Sequence, residues 1–492
     1  MKGTKEPKVT DIFSLMRTSP SPEEQALISR AFDFAQKAHE GQMRKSGVPY
    51  FYHVVEVAKN LALFGLDATT IAAGLLHDTV EDTSVTKEDL EQEFGKEIEH
   101  LVAGVTKIGQ VKYKGEERYL ENWRKFIITM ADDVRVIMIK LADRLHNAST
   151  LAYLRPDKAK RIALETIEIH ANIADRLGMW KLKKDLEDES FPYAFPKDYE
   201  KMKKLLKQHA KNAEKDLDQV YKSLRTELAK NNIEVLETSY RVKGMYSLYK
   251  KLLKKDMNIE KVYDIVALRV IVPTVEACYQ TLGIIHSHWR PFPGRIKDYI
   301  ALPKPNGYQS IHTTIFTGNG SIAEIQIRNQ EMHDHAEYGI AAHFAYKGMT
   351  PKEKEEHLKW LEDMQHSDIK EKSSPKDFFT ALKGDFFQKR IFVFTPQGDV
   401  INLPEDASAI DFAFAIHSDI GRQLQGVEIN GKHNSIYTKL KNGDIVKALT
   451  HKTSNPSSKW LDYTKTSHAR KQISKYVEEN SLVTKFMNRF RN

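Results

Sequence analysis

An apolar run, Ile71 to Leu76, leads directly into His77-Asp78-Thr79-Val80-Glu81-Asp82. Five of these six side chains carry charge or form hydrogen bonds. On a helix, His77 and Glu81 lie one turn apart, and so do Asp78 and Asp82. Ligand-type side chains and carboxylates then line neighbouring stripes at the end of an apolar helix. Charge placed there is costly unless a partner neutralises it. A divalent metal with a water to activate is the economical partner.

The chain has 492 residues, which suggests about three domains at ~150 residues each. With 41% hydrophobic and 29% charged residues it has material for real cores, and wholesale disorder is excluded. A single cysteine, Cys278, rules out a disulfide framework or a cysteine-based zinc site within the chain and fits a reducing cytoplasm. No apolar run approaches the ~18–20 residues of a membrane span, and none follows Met1-Lys2-Gly3-Thr4-Lys5 to make a signal peptide. The formal net charge of +8 favours polyanionic partners such as nucleotides or RNA.

From Glu23 to about Asp188 apolar residues recur at three and four, as in Val54, Val55, Val57, Ala58 and Leu61, and an all-α domain is expected over 1–195. The chain is expected to turn between Ser190 and Pro196, where two prolines fall close together. Residues 197–230 read as one long helix with an apolar stripe and a lysine-rich remainder. Val262 to Val272 and Ile322 to Ile327 read as strands, with helices at Gly244–Lys255, Val275–Trp289 and His333–Lys347, so 196–350 is an α/β domain. A charged linker fills 351–385, a small β-rich module 386–450, and a basic helical segment 451–492. That last segment is either a helix needing a partner or a fragment of something longer.

Two groups of residues carry chemistry. The first adds His53 and the Asp143/Asn147 pair to the His77–Asp82 junction. Two imidazoles and two carboxylates make an N/O metal site that suits manganese, iron or zinc, with the carboxylates favouring manganese. The bland alternative makes the histidines ordinary core residues with hydrogen-bond partners and the acids helix caps. The second group is an acid, Asp264, at the head of a strand, a loop dense in cations from Gly294 to His312, and Glu324, Gln326 and Arg328 alternating on one strand face. Cations on a shaped loop suit triphosphate oxygens, and Tyr308 offers a flat face to a base.

The stretches HDTVEDT and LADRLHN, with Arg44-Lys45-Ser46-Gly47 ahead of His53, resemble the HD-type hydrolase domain of the RelA/SpoT homologue family. SYRVKGMYSLYKKL, YDIVALRVIV, GRIKDYIALPKPNGYQSIHTTI, AEIQIRN and HDHAEYGIAAHFAYK resemble its synthetase domain, and KRIFVFTPQGDVINLPEDASAIDFAFAIHSDIG resembles a TGS domain. The resemblance implies a multidomain fold: an all-α HD domain, a nucleotidyltransferase-like α/β domain and a β-grasp-like TGS module. It implies a bifunctional enzyme that transfers pyrophosphate from ATP to the 3′-hydroxyl of GDP or GTP, making (p)ppGpp, and removes that pyrophosphate at a separate manganese site. For the hydrolase it implies His53, His77, Asp78 and Asp143 as ligands, Glu81 and Asp82 as water-activating acids, and Arg44, Lys45 and Asn147 as nucleotide contacts.

For the synthetase the resemblance implies Asp264 as the Mg²⁺ ligand and Glu324 as the base or a further ligand. Arg241 and Arg269 are expected to sandwich adenine, and Tyr308 to stack on guanine. Lys243, Lys251, Lys304, Asn306, His312 and Gln326 fall to phosphate and ribose, with Arg295 and Lys297 matching the charge pattern of bifunctional members. Departures from the pattern are Val54 for proline, Tyr240 for glycine and Gly244 for histidine. His417 matches a position at the tRNA 3′ end, so the ribosome and uncharged tRNA are expected partners, with no membrane. Longer members continue past the TGS module, so 451–492 is expected to open a truncated regulatory region. Two other readings remain at this stage: a hydrolase-dominant member, and a ribosome- or tRNA-binding regulator with degenerate sites.

Overall fold

The computed structural model describes residues 6–107, 133–259, 262, 265–304, 306–317, 322–342, 390–451 and 453–480, with backbone alone at 107 and 208–217. The chain forms two compact units. The first holds the helical region and a five-stranded sheet, and the second holds two small sheets.

The helices that matter for the site are α1 (Pro22–Ala38), α2 (Phe51–Phe64), α3 (Ala68–Leu76), α4 (Thr79–Asp82), α5 (Val134–Ser149), α6 (Trp180–Ala194) and α7 (Pro196–Lys230). Ser21 and Glu24 form a capping box at the start of α1, with Pro22 in the first turn, where its missing N–H leaves no bond unmade. Asp67 caps α3 by accepting from the Thr70 amide at 2.7 Å. α3 is apolar all round and buried from Thr70 to Leu76. It fits tightly against α2 because Gly74 has no Cβ: one added there would lie 2.3 Å from Leu61 Cδ1. That close approach sets the two imidazole-bearing ends side by side.

One local expectation is corrected and another is made sharper. The apolar helix does not run through the junction; it stops at Leu76, with His77 as its cap, and a separate short turn follows. The side chains explain the break: His77 Nδ1 lies 2.8 Å from the Gly74 carbonyl, and Thr79 Oγ1 donates to the Leu76 carbonyl at 2.7 Å. Both carbonyls are taken by side chains that compete with the helical ladder. The expected turn between Ser190 and Pro196 is present and falls at the end of that stretch, not at Pro192. α6 runs through it to Ala194, and the break falls at Phe195, with Pro196 opening α7. Phe191 is fully buried against Tyr199, Tyr246 and Tyr249, and this aromatic core holds α6 in register across the proline.

The sheet is built from β1 (Glu237–Val242), β2 (Val266–Val272), β3 (Lys297–Asp298), β4 (Ile311–Phe316) and β5 (Ile322–Asn329), in the order β1-β2-β5-β4-β3. Only β2 and β5 run parallel. β2 is buried at every position but Arg269, as expected of a central strand covered on both faces. Val220, Leu224 and Leu228 of α7 and Cys278 and Ile285 of α9 (Val275–His288) pack with it, α8 being Met245–Leu253. The expected strand from Val262 begins at Val266, with Tyr263 and Asp264 outside the described residues. The helix expected from His333 starts earlier, as α10 (Gln330–Tyr338), capped by Asn329 accepting from the Met332 amide.

A second core joins the helical region to the sheet region within the first unit. Tyr246, Leu248, Tyr249 and Leu252 of α8 pack with Phe191, Met202, Ala159 and Ala163. Truncating one such buried aromatic typically costs ~3–5 kcal/mol.

In the second unit, β6 (Arg390–Phe394) pairs with β7 (Val400–Pro404), and β8 (Leu424–Ile429) lies between β9 (Lys432–Asn434) and β10 (Val446–Thr450), beside α11 (Ala409–Ile416). The basic segment forms α12 (Ser467–Glu479), whose Ala469 and Ile473 are buried against Ile410, Phe414 and Trp460. This helix therefore finds its apolar partner inside its own unit. The expected linker 351–385 and residues 481–492 lie outside the described residues.

Candidate active sites

His53 sits in the first turn of α2, His77 caps α3, and Asp143 projects from α5; all three are buried. One ligand atom from each falls within 4.8 Å of the others. Asp78 Oδ2 lies 3.5 Å from His53 Nε2 and 3.1 Å from His77 Nε2, so the fourth expected ligand joins the set. Stretches far apart in the chain thus converge on one point.

The tautomers follow from the partners. A carbonyl only accepts, so His77 Nδ1 carries a proton toward Gly74, and in the neutral ring the lone pair is on Nε2. Arg44 points an N–H at His146 Nδ1 at 3.1 Å, so that nitrogen accepts; His53 Nδ1, 2.7 Å away, therefore donates to it. His53 Nε2 is then also a bare lone pair facing the carboxylates, 3.3 Å from Asp143 Oδ1. His77 Nε2 is fully buried, and the Asp78 and Asp143 carboxylates are the polar groups facing it, at 3.1 and 4.0 Å. Two bare imidazole nitrogens beside two carboxylates fit a divalent cation.

The carboxylates favour positive charge at this point, which a proton on the His77 ring supplies without an ion and a cation would supply in its place. Burial opposes charge on His77, but Asp78 and then Asp143 outweigh it and lift its pKa to about 9. Burial likewise opposes ionisation of Asp143, yet Lys140 and the two imidazoles hold its pKa well below the usual carboxylate range. The cluster carries negative charge that a cation must answer. Glu81 and Asp82 lie at its rim and are exposed. Lost solvation first, then the Asp78 charge, raise the Glu81 pKa.

Several partners carried no sequence signal of their own. Lys140 Nζ holds Asp143 Oδ2 at 2.9 Å, and Tyr50 OH donates to both Asp78 and Asp82 at 2.7 and 2.9 Å. His39 stacks on the Tyr50 ring at 4.9 Å. Asn147 donates to Asp143 at 2.5 Å and accepts from Arg44 at 2.6 Å, which ties two expected nucleotide contacts to the ligand set. Arg44, Lys45, Asn147, Lys140 and Asp143 line a cavity of about 420 Å³.

The second constellation lies on the sheet. Glu324, Gln326 and Arg328 share one face of β5, as their alternation implied, and His312 of β4 sits opposite Gln326. A chain of contacts runs from Tyr308 OH to His312 Nε2 at 2.8 Å, from His312 Nδ1 to Glu324 Oε1 at 3.3 Å, and from Gln326 Nε2 to the same oxygen at 2.7 Å. Lys304 Nζ stands 4.5 Å from the Tyr308 ring centroid and 4.7 Å from that of Tyr299. Burial lowers the Lys304 pKa to about 8. Burial would raise the Tyr308 phenol, but His312, Arg328 and Arg241 together bring it down to about 8.

In the β1–β2 register, Arg241 faces Ala267 and Ser239 faces Arg269, so the two arginines are diagonal neighbours. Such neighbours lie ~7–8 Å apart, about twice a stacking distance of ~3.5 Å. Arg269 also pairs with Glu337 at 2.9 Å, and the buried Arg328 reaches the same carboxylate at 3.3 Å. Glu337 and Arg328 were absent from the expected site, although Arg328 stood on the marked strand face. Lys297 pairs with His312 across β3 and β4, and Asn306 Nδ2 donates to the Asp175 carbonyl at 3.1 Å. Lys243 follows β1, its amide bonded to the Ile265 carbonyl; Lys251 lies in α8, and Arg295 in the loop before β3. Asp264 lies outside the described residues. In the other unit, His417 caps a short turn by accepting from the Asp419 amide at 3.2 Å and is largely exposed.

The helical region with its histidine–aspartate cluster is an HD domain, whose profile matches residues 31–180. Residues 240–350 match the region found in RelA / SpoT proteins, and 391–450 match the TGS domain. The chain is 44% identical over 471 residues to a guanosine-3′,5′-bis(diphosphate) 3′-pyrophosphohydrolase of Aquifex aeolicus, covering 95% of this chain and 67% of that protein. It is 44% identical over 461 residues to a GTP pyrophosphokinase of Myxococcus xanthus, covering 92% of this chain and 60% of the other. It is 40% identical over 462 residues to the bifunctional (p)ppGpp synthase/hydrolase SpoT of Escherichia coli, covering 93% and 66%. The chain belongs to the RelA/SpoT family, and it spans roughly three-fifths to two-thirds of the length of these relatives. Among the described residues no helix is long and apolar enough to cross a membrane.

Proposed function

We propose that the chain is a bifunctional alarmone enzyme, making (p)ppGpp from ATP and GDP or GTP on the sheet and hydrolysing it to GDP or GTP and pyrophosphate at the HD cluster. The observation that carries this reading is that one chain holds two constellations of opposite chemistry: bare imidazoles with carboxylates at one, and cations with planar side chains at the other. The names of the relatives include both activities.

At the HD cluster, His53, His77 and Asp143, with Asp78 beside them, would hold the metal, Mn²⁺ in this reading. The bound ion supplies a water of lowered pKa as nucleophile. The other steps belong to the chain. Glu81, with its raised pKa, takes up the proton from that water, and Asp82, held by Tyr50, assists. Arg44, Lys45 and Asn147 grip the nucleotide in the adjoining cavity, and Lys140 keeps Asp143 oriented.

On the sheet, Arg241 and Arg269 clasp adenine, and Tyr308 takes guanine. Lys243, Lys251, Arg295, Lys297, Lys304, Asn306, His312 and Gln326 neutralise and place the phosphates and ribose. Glu324 accepts the 3′-hydroxyl proton. Asp264 is the residue that would hold Mg²⁺ in this reading, and the ion would supply charge neutralisation at the transferred group. Transfer of this kind depends on positioning and charge neutralisation rather than on covalent chemistry. The TGS unit, with the exposed His417, is the part that meets uncharged tRNA on the ribosome, and the setting is the cytoplasm.

Incubation with ATP and GDP, and separately with ppGpp and Mn²⁺, followed by nucleotide separation, tests the reading. Product is expected from both mixtures; a chain inert in both is the regulator with degenerate sites, and the proposal falls.

A further inference from the structure

The sheet site receives side chains from the HD domain as well as from its own strands. Residues 175–180, Asp-Arg-Leu-Gly-Met-Trp, connect the short helix Ala171–Arg176 to α6 and meet the sheet region at three places. The Asp175 carbonyl accepts from Asn306 Nδ2 at 3.1 Å, which steadies the loop carrying Lys304 and Tyr308. The Leu177 carbonyl accepts from the Ile340 amide at 2.9 Å. There Gly178 and Gly339, both at positive φ, cross backbone to backbone: a Cβ on Gly339 would lie 2.0 Å from the Leu177 oxygen, so no other residue fits. Finally, Trp180 places its indole against the Arg241 guanidinium, with Cζ 4.1 Å from the ring centroid.

We propose that Trp180 is a positioning residue of the pyrophosphate-transfer site, backing Arg241 so that its guanidinium plane is fixed for the purine of the donor nucleotide. A guanidinium has two faces. Trp180 covers one, and the proposal assigns the other to a base between Arg241 and Arg269. The Arg241 Nε is buried without a hydrogen-bond partner, so at that end the plane is set by stacking rather than by a hydrogen bond. A cation–π contact of this kind orients a group whose flexible stem would otherwise sample many rotamers. The Gly178–Gly339 crossing and the Asn306 bond hold Trp180 in place, so an HD-domain segment forms the back wall of the nucleotide site on the sheet.

This inference rests on the pyrophosphate-transfer reading of the sheet site, and the test separates the two. Trp180→Leu and Trp180→Phe are compared in the full chain by synthesis kinetics, by equilibrium binding of a non-hydrolysable ATP analogue, and by ppGpp hydrolysis. Trp180→Leu is expected to raise the KM for ATP and the analogue Kd on the order of tenfold. Its kcat and KM for GDP should stay within about twofold, and hydrolysis should be retained. Trp180→Phe, which keeps an aromatic plane, should restore most of the ATP affinity. Equal ATP KM and Kd in the Leu and Phe variants overturn the proposal. So does joint loss of hydrolysis and ATP binding in Trp180→Leu and in Trp180→Met, a flexible filler of the same space, because it marks a purely structural role. A wild-type chain that binds the analogue but forms no product refutes the transfer reading, and the Leu/Phe contrast in binding then still decides the role of Trp180.

Discussion

The HD cluster and the sheet site treat charge in opposite ways. At the first, Asp78 and Asp143 crowd two imidazoles, and the negative surplus is large enough to lift His77 to about 9 against complete burial. At the second, cations crowd one another: burial brings Lys304 down to about 8 and Arg328 to about 10. A pocket that must concentrate a divalent cation and a water is built negative. A pocket that must receive a triphosphate is built positive and planar. The scaffolds differ accordingly. Three buried helices fix the ligand atoms of the first to a point, whereas a sheet face and a loop spread the second over the length of a nucleotide.

Four experiments break or sharpen this contrast. His77→Ala removes one of the two bare nitrogens, and hydrolysis should fall by more than the ~10–100-fold that loss of an outer partner brings. Bound Mn²⁺ by elemental analysis should fall with it, and synthesis should hold within about twofold; a parallel loss of synthesis would mean that the two sites are not chemically separate. Asp264→Asn is the mirror image. Synthesis should drop on the order of 10²–10³-fold while ppGpp hydrolysis stays near wild type.

Lys140→Met leaves the ligands in place and removes the charge holding Asp143 Oδ2. Hydrolysis at limiting Mn²⁺ should fall ~10–100-fold and recover at excess metal. A defect that excess Mn²⁺ does not relieve would give Lys140 a role beyond orienting the ligand. The smallest effect concerns pH. The Lys304 ammonium is present below its lowered pKa and lost above it, so phosphate contacts that need it weaken as pH rises through about 8. Synthesis should decline over that range, and Lys304→Arg, which does not titrate there, should shift the decline upward. An unchanged profile in Lys304→Arg would assign the decline to Tyr308, also near 8.

Much of both sites was legible in the chain. The spacing of HDTVED, the isolated His53 and the Asp143/Asn147 pair named a ligand set that the fold then brought together. The period-two alternation of Glu324, Gln326 and Arg328 placed them on one strand face, where they are found. Residues that act through contact rather than pattern were silent. His146 and Glu337 lie inside marked stretches without a role of their own there, Lys140 and Tyr50 lie beside them, and only packing puts Lys140 against Asp143 or Glu337 between Arg269 and Arg328. Which of the two prolines marks the turn was silent for the same reason: a buried aromatic cluster carries the helix through Pro192, and the break comes at Phe195, before Pro196.

The sequence by itself determined the reagents of this protein, because imidazole, carboxylate and guanidinium chemistry is written in residue types and their spacing. Tertiary structure decided their state. Which nitrogen is bare, which carboxylate is shared and which face of Arg241 is covered depend on atoms from α2, α5, α6 and α10 and from β1, β2 and β5 meeting across long stretches of chain. Proton position and side-chain orientation are set by neighbours in space, and those neighbours exist only once the chain has folded.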